Sequence, residues 1–366
     1  MNILILNWKD VKNPSSGGAE IVTHEHARRW VKEGHRVTWL CSSFSNLKKK
    51  EEYDGIKFFR FGNIYSIYFY APIFYLRNRK NIDVILDEVH GIPFFTPFYA
   101  RKPILVLIHE VAGEIWGYTF GFPLNKLGPI IDKFYLKIYE NKKFWTDSKF
   151  TIDELVKFGI ERKNCLSIPC PSNAKVLQKL PTKNKKYTFI SINRIVKMKG
   201  IEDVIDAFSI INKKIKESEL WIIGTGDPEY IKSLKINKIE KLNLKKHIKF
   251  WGFVSEKKKL ELMRKSHLLL HGSIKEGWGL VVIEAASQGT PSVVYNSSGL
   301  NESVKNNTTG LVVSQNTPLQ MATEVISLIS DKKRYNSYQI NGLKWAKELN
   351  WENAANLSLR LLKNEK

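Results

Sequence analysis

At 366 residues the chain is too long for one ordinary hydrophobic core, and with 43% hydrophobic and 12% aromatic residues it can build two. A formal net charge of +22 suits nucleic acid, an anionic membrane surface or phosphate-bearing substrates. The lysines are spread in short groups (Lys48-Lys49-Lys50, Lys213-Lys214, Lys257-Lys258-Lys259), which reads as solvated surface and excludes a dedicated nucleic-acid stripe.

In chain order, Met1–Leu6 reads as a first strand, too short for a secretory leader. A loop holding Gly17-Gly18-Ala19-Glu20 follows. From Ala19 the residues Ile21, Val22, His26, Ala27, Trp30 and Val31 recur at helical spacing as far as Glu33-Gly34. Arg36–Cys41 is a second strand, and this βαβ unit places the glycine pair where phosphate is bound or where a tight turn is needed. Ile56–Phe61 is a strand and Tyr65–Arg79 an aromatic helix with Arg77, Arg79 and Lys80 beside it, suited to core packing or to a membrane surface. The longest uncharged run, residues 61–76, is broken by Gly62, Asn63 and Pro72 and is too short to span a bilayer. Asp83–Leu86 and Ile104–Ile108 have the continuous apolar character of buried parallel strands, and the second ends at His109, where such sheets place ligands. Trp145–Ser148 is a further strand and Thr151–Phe158 a helix. Cys41, Cys165 and Cys170 form no disulfide framework, which predicts a reducing, cytoplasmic location.

Residues 1–170 thus form one doubly wound domain, 171–186 a polar linker, and 187–350 a second α/β series. Its predicted strands are Tyr187–Asn193, Leu220–Ile223, Ile248–Trp251, Leu268–His271, Ser292–Tyr295 and Gly310–Val313. Helices are predicted over Gly200–Lys214, Pro228–Leu242 and Glu256–Arg264, and the final segment, 351–366, is helical from Trp351. Between the strands Leu268–His271 and Ser292–Tyr295 lies Glu276-Gly277-Trp278-Gly279-Leu280, running into an apolar helix that carries Glu284 and stops at Gly289 and Pro291. Two carboxylates flank a glycine-rich helix start, whose free N–H groups and dipole favour an anion. With Leu280, Val281, Val282 and Ile283 around it, Glu284 is expected in an otherwise buried region.

Arg194 and Lys199, five apart in a strand-to-helix loop, could clasp a diphosphate or serve as ordinary loop charge. Gly224-x-Gly226 follows a strand, but Glu229 stands where a dinucleotide fingerprint needs its third glycine. His24 and His26 sit two apart on one helix and point to opposite sides, so no metal site is expected there. There is no Gly-x-Ser-x-Gly elbow and no P-loop lysine motif.

Together these residues resemble the retaining, nucleotide-sugar-dependent glycosyltransferases of the GT-B fold, the group 1 or family 4 type. The resemblance rests on Glu276 and Glu284 with seven residues between them, the Arg194…Lys199-Gly200 segment, the Gly17-Gly18 loop and the helix from Trp351. It implies two Rossmann-like domains facing a central cleft, with the C-terminal helix crossing back to the first. It also implies that Glu284 holds ribose hydroxyls and that Glu276 faces the donor sugar with His109 beside it. The diphosphate would lie on Arg194, Lys199 and the backbone of Gly277, Trp278, Gly279 and Leu280, with no cofactor and no metal needed. Gly17, Gly18, Gly224 and Val254 are the remaining donor-side residues, Val254 through the Gly252-Phe253-Val254 base-pocket segment. Two departures, Ser298 in Ser298-Gly299-Leu300-Asn301-Glu302 and the Cys170-Pro171-Ser172-Asn173 junction, touch the sugar pocket and the interdomain segment.

The function implied is transfer of a hexose, such as glucose or mannose, from a nucleotide sugar in cell-surface glycan or glycoprotein biosynthesis. The acceptor would be a glycan or a polyisoprenyl-phosphate-linked one, at an anionic membrane surface on the cytoplasmic side and without nucleic acid as a partner. A sugar-nucleotide epimerase of the same fold, told apart by turnover without acceptor, and a basic nucleic-acid-binding module, told apart by a salt-dependent gel shift, are the alternatives.

Overall fold

The first strand, β1 (Asn2–Leu6), is apolar and buried on both faces from Ile3 to Leu6, and it has a parallel partner at either edge, so it lies inside a sheet covered on both sides. The computed structural model describes residues 1–113, 115–119 and 121–364, and the chain divides into two units, Met1–Cys170 with Asn350–Lys366 and Pro171–Leu349. In the first unit β1 is joined by β2 (Arg36–Ser42), β3 (Lys50–Tyr53), β4 (Ile56–Phe61), β5 (Val84–Val89), β6 (Ile104–Ile108), β7 (Lys143–Thr146) and β8 (Cys165–Ser167). Their order across the sheet is β3-β4-β2-β1-β5-β6-β7-β8. Only β3 runs antiparallel among them, as a hairpin to β4. Asp54 and Gly55 both take positive φ at its tip, the turn that suits tightly joined antiparallel strands.

The sheet order reverses at β1, so the loops after β1 and β5 open a crevice at the carboxyl edge. The helix Gly18–Lys32 follows β1 and covers one face of the sheet. Against it packs the C-terminal helix Trp351–Asn364, which returns to this unit as expected; residues 365–366 lie outside the described residues. Its seat is His26, whose ring meets Trp145 and Trp351 edge-on and whose Nδ1 lies 2.8 Å from Ser358 Oγ. Arg29 Nε donates to Glu352 Oε1 at 2.9 Å across the same seam. His24 faces the other way, stacked on Tyr53, as the helical spacing requires. Two helices that the sequence did not announce, Ile115–Thr119 and Leu124–Ile138, precede β7. Pro123, Gly128 and Pro129 punctuate that region and hide its periodicity.

The second unit has an all-parallel sheet of β9 (Thr188–Ile192), β10 (Glu219–Ile223), β11 (Ile248–Gly252), β12 (Leu268–His271), β13 (Ser292–Val294) and β14 (Gly310–Val312). The order is β11-β10-β9-β12-β13-β14, with the reversal between β9 and β12. Residues 171–186, read from sequence as a linker, are laid along this unit: Leu177 N donates to Ser287 O, and Asn184 N to Lys265 O, each at 3.0 Å. Among the described residues no helix is long and apolar enough to cross a membrane.

Candidate functional site

In the second unit the crevice beyond β9 and β12 gathers most of the residues singled out in the sequence. The loop after β12 is stitched to the loop after β9, since Ile274 N donates to Met198 O at 3.0 Å and a Cβ on Gly200 would come within 1.9 Å of Gly272 O. That close approach brings Lys199 Nζ to 2.6 Å from Glu276 Oε1. His271, the last residue of β12, places Nε2 3.2 Å from the same oxygen. Burial alone would raise the Glu276 carboxyl, but the Lys199 ammonium and His271 hold it well below the usual carboxylate range. The Glu276 N–H donates to Ser298 Oγ at 3.2 Å, so the serine that departs from the Gly-Gly pattern fixes the backbone of this glutamate. Gly299, at φ +74°, lies so close beneath Glu276–Trp278 that a Cβ would meet that backbone at 2.6 Å.

Beyond Gly277 and the buried Trp278, Gly279 in left-handed conformation opens the helix Leu280–Ser287, and no side chain caps that end. The free N–H groups of its first turn are the anion-attracting feature expected from sequence. Glu284 lies in largely buried surroundings, as expected, with its side chain 18% exposed. Leu280, Val281 and Glu284 form a partly buried strip along the helix, while Val282, Ile283 and Ala285 enter the core. Lys259 Nζ holds the Glu284 carboxylate at 2.8 Å. Burial outweighs that cation and raises the Glu284 carboxyl above its ordinary value.

Arg194 is exposed in the loop after β9, where Ile195 N donates to Thr225 O at 2.8 Å. This pairing lines Ile195, Gly224, Gly226, Phe250, Trp251 and Gly252 along a largely apolar cleft of about 580 Å³ at the carboxyl ends of β9, β10 and β11. Val254 packs half-buried against the core cluster that includes Ile190 and Trp221.

In the first unit, Gly17 and Gly18 lie exposed at the start of the helix after β1, and the Gly17 N–H donates to Glu20 Oε2 at 2.6 Å. Glu20 Oε1 lies 3.2 Å from Lys9 Nζ and 3.4 Å from His90 Nδ1. His109 directly follows β6, with Nδ1 donating to Asp147 Oδ2 at 2.6 Å and Nε2 3.3 Å from Glu88 Oε1. Burial opposes its charge, but Asp147 and Glu88 prevail and hold the imidazolium well above the ordinary histidine range. Beside it a pocket of about 520 Å³ is walled by Trp8, Tyr65, Tyr68, Ile92 and Trp116.

The sequence alone assigns no role to His271, Lys259, Glu88, Asp147 or His90, and names Glu20 only as the last residue of the glycine loop. Glu88 was legible as one of two acids, Asp87-Glu88, inside an otherwise apolar strand, and His271 as a histidine at a strand's carboxyl end. Among the described residues, no group of three or more His, Cys, Asp or Glu is placed to hold a metal ion.

The chain matches two family models, "Glycosyltransferase Family 4" over residues 16–175 and "Glycosyl transferases group 1" over residues 172–345. It is 23% identical over 360 residues to the N-acetyl-alpha-D-glucosaminyl L-malate synthase of Bacillus anthracis, covering 87% of this chain and 86% of that protein. Among solved structures, the sucrose-phosphate synthase of Thermosynechococcus elongatus superposes with a TM-score of 0.80 at 18% identity, over 99% of this chain and 98% of that one. Anabaena HepE in complex with UDP-glucose superposes with a TM-score of 0.77 at 16% identity over the whole of both chains. At these identities the two structures speak for the fold.

Proposed function

Because the chain belongs to the group 1 glycosyltransferases and folds as a GT-B enzyme, we propose that it is a retaining hexosyltransferase using a nucleoside diphosphate sugar. The observation that carries the donor half is the meeting of Lys199, Glu276, His271 and the uncapped start of the Leu280–Ser287 helix beyond β9 and β12. Arg194, Lys199 and that helix end hold the diphosphate and stabilise it as it leaves, a role that calls for no divalent metal. Glu284 receives the ribose hydroxyls, and the apolar cleft by Gly224 and Trp251 takes the base. Glu276, kept ionised, accepts hydrogen bonds from the donor sugar. The sugar departs through an oxocarbenium-like state and is attacked from the same face, so its anomeric configuration is retained.

The acceptor half is the aromatic pocket beside His109, whose rings suit the apolar faces of a sugar and a hydrocarbon body. Tyr65, which lines it, and Phe69, Phe122 and Phe134 are between 67% and 86% exposed, and Arg77, Lys126 and Lys133 lie on the helices Ile67–Asn78 and Leu124–Ile138. Exposed rings among cations fit an anionic bilayer, so the acceptor is a lipid-linked glycan met at the inner face of the cell membrane.

Calorimetric titration with UDP and GDP sugars tests the donor site, with Glu284→Ala and Arg194→Ala as variants. Each variant is expected to lose roughly tenfold or more in affinity, since hydrogen bonds to charged groups contribute about 1.5–3 kcal/mol. Wild-type affinity in both variants, or transfer that inverts the anomeric centre by NMR, overturns the reading.

A further inference from the structure

At the opposite edge of the second sheet, where β9 and β12 begin, a pocket of about 370 Å³ remains outside everything described above. Leu180, Pro181, Tyr187, Ile329 and Tyr335 give it apolar walls, and Lys183, His267 and Lys332 give it hydrogen-bond donors. Lys183 Nζ donates to Thr290 Oγ1 at 2.8 Å, and that hydroxyl passes its own proton to Met263 O at 2.6 Å. No carboxylate among the described residues offsets this ammonium, and burial alone brings its pKa down to about 7. A partly buried, desolvated ammonium without a counter-charge is stabilised when an anion enters from outside.

The neighbouring histidine is set up to help. His267 Nδ1 accepts the Thr188 N–H at 3.1 Å, which leaves the proton of the neutral ring on Nε2 as a donor. Burial, and then the Lys183 charge, lower its pKa to about 4, so it stays neutral. The Tyr187 ring packs 4.9 Å from His267, and the Tyr335 hydroxyl donates to His267 O at 3.0 Å, which fixes the two aromatic walls. Lys332 stands exposed on the rim.

We propose that this pocket binds a phosphate monoester bearing a small ring, the phosphate on Lys183 and Lys332 and the ring against Tyr187 and Tyr335. Two contacts tie the pocket to the end of the helix that starts at Leu280: Lys183 to Thr290, and Gln339 Nε2 to Gly289 O at 2.8 Å. A bound ester therefore bears on the same helix as the crevice at the other edge, without sharing its residues.

Pyridoxal 5′-phosphate is a direct probe, being a ring phosphate whose aldehyde condenses with a neutral amine, releasing water, to an imine that borohydride reduces. At pH 7, peptide mapping is expected to find Lys183 labelled at least about tenfold faster than exposed lysines, because the neutral fraction of an ordinary lysine is tiny there. Phenyl phosphate is expected to protect Lys183 at lower concentration than inorganic phosphate does, and benzoate to protect it poorly. Lys332→Gln is expected to weaken that protection severalfold while Lys183 still reacts. Labelling of Lys183 no faster than exposed lysines, fast labelling that no phosphate slows, or equal protection by phenyl and inorganic phosphate each overturns the proposal.

Discussion

Acidification offers a quantitative test of how the C-terminal helix is held to the first unit. His26 is buried and neutral, its pKa lowered to about 3 by burial first and then by the positive charges of Arg29 and His109. Ser358 Oγ donates to Ala355 O at 2.9 Å, so it must accept from His26, and Nδ1 therefore carries the proton. Nε2 faces buried aromatic surroundings and has no hydrogen-bond partner among the described residues, so a second proton there finds no acceptor among them. Since the folded pKa lies below the unfolded one, the unfolded chain binds the extra proton between the two, and stability falls as pH falls. From about pH 6.5 to pH 4.5 the loss at about 1.4 kcal/mol per unit is roughly 3 kcal/mol. Amide exchange of the Trp351–Asn364 helix, read at several pH values, measures it for this unit alone. His26→Gln is expected to be less stable at pH 7 yet to lose about one proton's worth of slope in that window. Identical slopes in the two proteins, or an NMR titration of His26 near its ordinary value, would refute the reasoning.

Lys199→Met is expected to weaken nucleoside diphosphate binding by about ten- to a hundredfold, and to let the Glu276 carboxyl rise because burial is no longer offset by the ammonium. Calorimetry reads the first effect, and a new acid limb in the pH–rate profile reads the second. In the wild-type enzyme, Glu276 is held ionised from below and His109 charged from above, so neither should add a limb to kcat between about pH 5 and 7, whereas the raised Glu284 carboxyl can. A titration of kcat inside that window that survives Glu284→Gln would count against both assignments.

The elements legible in the sequence are those whose apolar runs are long. β1, β6, β9 and β12 appear as continuous buried runs, and the ligand edge follows from where those runs stop. β3 was hidden because Lys50-Glu51-Glu52-Tyr53 lies at the sheet edge with nothing to bury, and only Asp54-Gly55 announces the hairpin. Glu284 is legible as a carboxylate in largely buried surroundings, but the apolar composition conceals that Leu280 and Val281 share its partly buried strip and that Lys259, from another helix, pairs with it. Lys199 was readable as a cation in a loop, but its pairing with Glu276 crosses 77 positions and depends on Gly200 touching Gly272. Lys183 was read as linker charge because nothing local signals that Thr290 waits beneath it.

The protonation states constrain the proposed reaction more tightly than the residue types do. A carboxylate whose oxygen already faces Lys199 and His271 is a weak base, since both partners favour its ionised form. His109 holds its protons on both nitrogens, one against Asp147 and one toward Glu88, so it can orient a hydroxyl but cannot take a proton from one. Asp147 and Glu88 are themselves engaged with that imidazolium and buried. An acceptor hydroxyl must nevertheless lose its proton as the new glycosidic bond forms. In the proposed retaining reaction the departing diphosphate receives it, as that group gains negative charge while its bond to the sugar breaks. The cations gathered around Lys199 then have a balanced task, since they must stabilise the leaving oxygen enough for departure without removing its ability to accept that proton.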